Sequence, residues 1–222
     1  MKTGPTSQAV YIVDDHPLVR EWLTNLVNQQ PDLFVCGEAE SASEALQGIG
    51  EKTPDVAVVD LSLKESSGLE LIKDLKQVHP GVKVLALSMH DESLYAERAL
   101  RAGAKGYVMK RESTGRVIEA IREVLAGGVV VSSAVSQTMA SKIAGGRPAL
   151  AASPADILSD RELEVFELLG QGIGTRKISE RLNVSVKTVQ AYCARAKDKL
   201  HLKNATELLR EAIHWNDSNR PT

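Results

Sequence analysis

The sequence predicts a doubly wound, five-stranded parallel α/β sheet followed by an all-α domain of four helices, and three observations predict it. Between Ala9 and Ala126, short apolar runs alternate with longer amphipathic ones, the pattern of strands and crossover helices. After Pro154 the periodicity is helical throughout. The charge divides the same way: residues 1–127 hold 14 basic against 19 acidic side chains, whereas 175–203 hold 8 against 2. An acidic domain carrying a basic one follows, although the whole chain is only −2.

Taken in order, Val10-Tyr11-Ile12-Val13 is the first strand, and Leu18, Trp22, Leu23, Leu26 and Val27 follow at helical spacing. Leu33 to Gly37 is the second strand, and Ser41-Ala42-Ser43-Glu44 has the form of a capping box opening a short helix. Val56-Ala57-Val58-Val59, bounded by Asp55 and Asp60, reads as a strand buried on both faces. A helix with Leu69, Leu71, Ile72 and Leu75 ends before Pro80. Val82 to Leu87 is the fourth strand, Leu94 to Ala102 a helix stopped by Gly103, and Gly106 to Met109 the fifth strand. Val117, Ile118, Ile121, Val124 and Leu125 line the helix that closes the domain, expected over 8–127.

Residues 128–153 read as a partly helical linker, with Ser132 to Ile143 a short helix and Gly145-Gly146-Arg147-Pro148 a break. The second domain is expected over 154–216. Ser159-Asp160-Arg161-Glu162 is a capping box, Gly170, Gly172 and Gly174 mark a turn, and a short helix starts near Thr175. Asn183-Val184 connects it to a helix capped by Ser185 and running to Leu200, and Ala205 to Trp215 is the fourth helix, before a frayed tail over 216–222. Short helix, brief turn and longer basic helix make the helix-turn-helix outline.

Two cysteines far apart, Cys36 and Cys193, support neither a disulfide framework nor a Cys-rich metal site. The polar start lacks a signal peptide's apolar core, and no stretch reaches the roughly 18 apolar residues of a spanning helix. The expectation is a soluble cytoplasmic protein with no membrane partner.

Asp14 and Asp15 end the first strand, Asp60 the third and Ser88 the fourth, while Lys110 follows the fifth. In a doubly wound sheet these carboxyl ends share one edge, where such folds bind ligands. Three adjacent carboxylates are unfavourable unless a cation offsets their repulsion, and hard oxygen ligands suit Mg2+. A carboxylate nucleophile can accept a phosphoryl group, whose charge Mg2+ and an ammonium would stabilise. Singly, each residue reads as an ordinary cap, turn residue or solvated charge; together, at successive strand ends, they favour a site.

On the helix from Ser185 to Leu200, Val189, Cys193, Ala196 and Leu200 form a core stripe, which makes Cys193 a small buried apolar residue rather than a reactive thiol. The opposite face carries Lys187, Gln190, Ala191 and Ala194, flanked by Thr188, Tyr192, Arg195 and Lys199. Small residues beside Gln let a helix enter the major groove, where Gln bonds adenine and Ala touches a thymine methyl. The flanking groups suit phosphate contacts, which set register without reading sequence. A solvated basic face is the plain alternative; the preceding short helix, the tight turn and the local charge oppose it.

Asp14-Asp15, the segment Asp60 to Gly68, Ser88 and Lys110 resemble the CheY-like receiver domain of two-component response regulators. Leu158 to Val165, Ile178 to Leu182 and Ser185 to Val189 resemble the LuxR-type helix-turn-helix, so the whole chain resembles a NarL/FixJ-family regulator. The resemblance implies that Asp60 is phosphorylated by a histidine kinase, and that Asp15, Asp60 and the Ser62 carbonyl hold Mg2+ with Asp14 helping through water. It further implies that Lys110 contacts the phosphoryl group, and that Ser88 and Tyr107 form a switch pair moving inward on phosphorylation. The helix from Ser185 would enter promoter DNA as part of a homodimer formed through the last helix. Two positions depart from the pattern: Lys64 stands where Pro is frequent, and Arg111 where Pro follows the lysine. A cis peptide before Arg111 would cost about 3 kcal/mol more than trans. Gln190-Ala191-Tyr192 also differs from the commoner acidic-Thr-His run, so the target sequence is this chain's own.

The expected function is therefore a regulator rather than an enzyme. A phosphohydrolase using Asp60 would often carry a second acid two residues on, where Ser62 stands. The other alternative is a constitutive DNA-binding or interaction protein whose receiver is uncoupled from phosphorylation.

Overall fold

The computed structural model describes residues 7–63, 67–144 and 153–218. Lys64, the Gly145–Pro148 break and the end of the tail lie outside them. The chain divides into two compact units, Met1–Gly146 and Arg147–Thr222.

In the first unit β1 (Gln8–Val13), β2 (Leu33–Ala39), β3 (Val56–Asp60), β4 (Lys83–Ser88) and β5 (Gly106–Met109) form one parallel sheet in the order β2-β1-β3-β4-β5. The helices are α1 (Pro17–Asn28), α2 (Ala42–Lys52), α3 (Gly68–Val78), α4 (Glu92–Ala102), α5 (Thr114–Leu125) and α6 (Ser133–Ala144). Strand alternation sorts the side chains. Val10, Ile12, Val56, Val58, Leu85, Leu87 and Val108 meet Leu23 and Val27 of α1 and the apolar face of α5 in one core. All five residues of β3 are buried, as a central strand covered on both faces requires.

The predicted helix starts have physical causes in place. Ser41 accepts a bond from the Glu44 amide, although the Glu44 carboxylate accepts from Glu40 rather than closing the box on Ser41. Gly103, at φ 129°, ends α4 in a conformation that side chains resist. Gly68 is required by contact: a Cβ there would lie 2.0 Å from the Asp60 carbonyl oxygen and 2.6 Å from Leu61 Cα. Both obstacles are backbone, so Gly68→Ala is expected to cost about 1–3 kcal/mol. Thermal unfolding reads this directly, and an unchanged midpoint would mean the turn after Asp60 opens freely.

The chain does not leave the first unit at Gly127-Gly128. Val130 pairs with the outer edge of β5, accepting from the Tyr107 amide at 2.8 Å and donating to the Lys105 carbonyl at 2.9 Å. An exposed strand edge is thereby covered. Helix α6 then packs on α4, with Val135 buried, and Glu92 of α4 accepts a 2.6 Å bond from the Ser132 amide beside the start of α6.

The second unit contains α7 (Pro154–Ile157), α8 (Asp160–Gly170), α9 (Thr175–Arg181), α10 (Val186–Lys199) and α11 (Ala205–Ser218). Ser159 and Glu162 close the predicted capping box. Val165, Leu168, Ile178, Leu182 and Val189 form its core, and Phe166 meets Trp215. No helix among the described residues is long and apolar enough to cross a membrane.

Candidate functional site

The acidic edge is built by strand ends. β1 and β3 are neighbours, and the chain leads from β1 to β2 on one side of the pair and from β3 to β4 on the other, the strand-order reversal at which such sheets bind ligands at their carboxyl ends. Asp14, Asp15 and Asp60 lie there, all nearly fully buried. Lys110 reaches across from the end of β5, with Nζ 2.8 Å from Asp60 Oδ2 and 2.5 Å from Asp14 Oδ2. Its peptide with Arg111 is trans, as is every described peptide bond.

Burial pushes the Asp60 carboxyl above its ordinary pKa; Lys110 opposes the rise and the Asp14 carboxylate adds to it. Burial disfavours the Lys110 ammonium, but the Asp60 and Asp14 carboxylates outweigh it and hold its pKa above that of an ordinary lysine. One ammonium does not balance three carboxylates. Asp14 Oδ2 and Asp15 Oδ1 are moreover buried, each facing a single nitrogen, Lys110 Nζ at 2.5 Å and His16 Nδ1 at 2.7 Å, without hydrogen-bond alignment. One ligand atom from each of Asp14, Asp15, Asp60 and the exposed His16 falls within 4.8 Å of the others. Buried, underserved oxygens in that arrangement fit a hard divalent cation.

Around this centre, the Ser62 amide donates to Asp60 Oδ1 at 3.2 Å, and Ser62 Oγ lies 2.9 Å from His90 Nε2. Ser88 Oγ, fully buried, accepts from the His90 amide at 3.1 Å. The Tyr107 ring lies inward, 1% exposed, with its hydroxyl donating to the His90 carbonyl at 2.9 Å. Burial raises its phenol well above the usual range. His90, stacked on Tyr95 at 4.3 Å between centroids, thus joins Ser62, Ser88 and Tyr107. No sequence signal marks it, since nothing local shows that a residue after β4 reaches the loop after β3.

The basic site is α10 with α9. Asn183, at φ 50°, turns the chain between them, a conformation Asn tolerates better than most residues. Ser185 caps α10 by accepting from the Thr188 amide at 3.0 Å. Val189 and Ala196 are buried, with Cys193 half-buried against the same core. Lys187, Gln190 and Ala194 are exposed, and Ala191 is partly so.

The remaining predicted residues are engaged within the unit. Thr188 Oγ1 lies 2.8 Å from Ser185 Oγ, and Tyr192 packs against the core with the Arg195 guanidinium 4.8 Å from its ring centre. Arg195 and Lys199 approach Glu162 of α8 at 3.3 and 2.7 Å. Burial alone would raise the Glu162 carboxyl, but bonds from Lys199 and from the Ser159 amide hold it below its ordinary value. Arg176, Lys177 and Arg181 on α9 are exposed, Arg176 with its Nε 3.6 Å from Glu180 Oε1. They belong to the stretch 175–203 that holds 8 basic against 2 acidic side chains.

Comparison with known proteins finds one family match in each unit. Residues 10–122 match the response regulator receiver domain, and residues 156–212 match the bacterial regulatory proteins of the luxR family. The chain is 35% identical over 208 residues to the oxygen regulatory protein NreC of Staphylococcus carnosus, covering 92% of this chain and 96% of that one. It is 35% identical over 204 residues to the response regulator GacA of Pseudomonas viridiflava, covering 92% and 94%. Among solved structures it resembles RcsB from Salmonella enterica serovar Typhimurium, bound to promoter rprA in the presence of phosphomimetic BeF3−, with TM-score 0.60, 26% identity and 94% and 99% of the two chains covered. A LuxR-family response regulator from Aurantimonas sp. SI85-9A1 matches at 34% identity and TM-score 0.58, over 63% of this chain and 99% of that one.

Proposed function

This chain belongs to the response regulators that join a receiver domain to a LuxR-family DNA-binding domain, and from that premise we propose a cytoplasmic transcription regulator switched by phosphorylation of Asp60. The observation that carries the reading is the buried Asp60 carboxylate held 2.8 Å from Lys110 beside two further buried acids that share that one lysine ammonium and the exposed His16. A histidine kinase supplies the phosphoryl group: an Asp60 oxygen bonds to phosphorus, the phosphorus–nitrogen bond breaks, and the leaving imidazole takes up a proton. Asp15, Asp60 and the Ser62 carbonyl would hold Mg2+, with Asp14 acting through water. When bound, that ion offsets charge on the phosphoryl oxygens. Lys110 turns from the carboxylates to those oxygens, and the Ser88 hydroxyl donates to them.

The response follows from what these residues already touch. The Ser88 hydroxyl holds the His90 amide, and the His90 carbonyl holds the Tyr107 hydroxyl. Drawing Ser88 toward the phosphoryl group therefore pulls on Tyr107, whose amide is bonded to Val130. Val130 leads directly into α6, so a local charge event biases the start of the linker. On the DNA side, Gln190, Ala191 and Ala194 read bases, while Lys187 and the α9 basic residues meet phosphates. Leu209 and Ile213 are exposed one turn apart on α11, an apolar pair that supports a homodimer reading two half-sites.

The test is the dissociation constant for promoter DNA with and without a small phosphodonor and Mg2+. The expected result is tightening on phosphorylation by at least roughly fivefold, the lower end of common coupling energies. Stoichiometric labelling with unchanged DNA affinity would instead favour a constitutive DNA-binding protein with an uncoupled receiver.

A further inference from the structure

We propose that Arg20 is a positioning residue for the cation site, locking the Asp14-Asp15 corner from behind through the Asp14 backbone carbonyl. The inference rests on the reading of the acidic edge as a Mg2+ site. β1 ends at Val13, and although the Asp14 amide still reaches the Ala39 carbonyl at 3.2 Å, the Asp14 carbonyl lies past the ladder. Asp14 is 1% exposed, so water does not readily replace a missing donor. Arg20, from the first turn of α1, donates Nη1 to that oxygen at 2.6 Å. A charged donor to a buried carbonyl is among the stronger hydrogen bonds, and its removal strands the acceptor.

The geometry separates Arg20 from Lys110. Lys110 lies against carboxylate oxygens of Asp60 and Asp14, the atoms a cation would also use. Arg20 takes a backbone oxygen and so competes with the ion for no carboxylate oxygen of Asp14 or Asp15. Its guanidinium, 17% exposed, also faces Glu38 Oε2 at 3.8 Å and Glu40 Oε2 at 3.7 Å. Those acids temper its charge beside a site that must attract cations, and tie α1 to the end of β2. One side chain thus joins α1, the β1–α1 corner and β2, which suits it to fix the direction in which the two acids point.

Isothermal titration of the full chain with Mg2+ tests this, alongside metal-free thermal unfolding. Arg20→Met and Arg20→Gln are each expected to weaken Mg2+ binding at least roughly tenfold, the usual loss for a residue supporting metal ligands. Arg20→Lys is expected to restore most of the affinity, because an ammonium can still donate to the carbonyl. The double variant Glu38→Gln/Glu40→Gln, which spares the Arg20–Asp14 bond, is expected to bind within about twofold of wild type. A purely structural role would lower the metal-free midpoint while leaving Mg2+ affinity unchanged. If either folded neutral variant binds Mg2+ within about twofold of wild type, Arg20 does not position the site. Absence of Mg2+ binding by the wild type would instead sink the reading of the acidic edge itself, and this inference with it.

Discussion

Asp60→Asn is expected to abolish phosphoryl labelling and, without metal, to raise the thermal midpoint of the first unit. The two effects share a cause. Burial and the neighbouring Asp14 carboxylate raise the Asp60 pKa against the pull of Lys110, so the folded state binds its proton more readily than the unfolded chain does. For such a group, stability is fully present below the unfolded value of about 3.9 and is lost as pH rises through the folded pKa. At neutral pH the wild type carries that penalty and Asn does not. Lys110 keeps a partner in the variant, because Asp14 Oδ2 remains 2.5 Å away. Each kcal/mol recovered shifts the midpoint by about 2–4 °C in a protein of this size, and the difference closes below about pH 4. Adding Mg2+ reverses the order: at 100 times its dissociation constant the ion stabilises the wild type by about 2.7 kcal/mol, whereas the variant has lost one ligand. Labelling equal to wild type, or a variant midpoint lower at neutral pH without metal, would refute this account of the acidic edge.

The second large effect belongs to α10 and separates base reading from phosphate binding. Gln190→Ala is expected to cost about 1–3 kcal/mol against the preferred operator, and to cost much less against operators altered at the base it reads. Lys187→Met is expected to weaken all sequences alike and to lower the slope of log affinity against log salt by about 1. Lys199→Met should leave the slope nearly unchanged and lower stability instead, because its ammonium is tied to nearly buried Glu162 at 2.7 Å. Competition binding over a salt series distinguishes the three. A full unit of slope lost on removing Lys199 would show that Glu162 releases it to DNA.

Asp60 was legible because a strand covered on both faces leaves a continuous apolar run, and an acid ending it abruptly is a local signal. Strand order then brought Asp14, Asp15, Ser88 and Lys110 to the same edge without any knowledge of distances. The capping residues Ser41, Ser159 and Ser185 were legible for the same local reason. Val130 was not: Gly127-Gly128 reads as an end, and only the uncovered edge of β5 explains why the chain returns to pair there. Nor was Arg20, since helical periodicity says which face packs but not which backbone oxygen a long side chain reaches.

What the sequence alone determined about this protein is therefore its two-part architecture, the acidic edge and the basic helix. These follow from hydrophobic period, strand ends and segment charge, which are properties of short stretches of chain. Tertiary structure decided which of the charges are engaged within the protein. It ties Lys199 and Arg195 to Glu162, turns Tyr107 inward onto His90, and leaves oxygens of Asp14 and Asp15 without an aligned donor. An ion pair or hydrogen bond depends on separations of a few ångströms between elements remote in sequence, and those separations are set by packing.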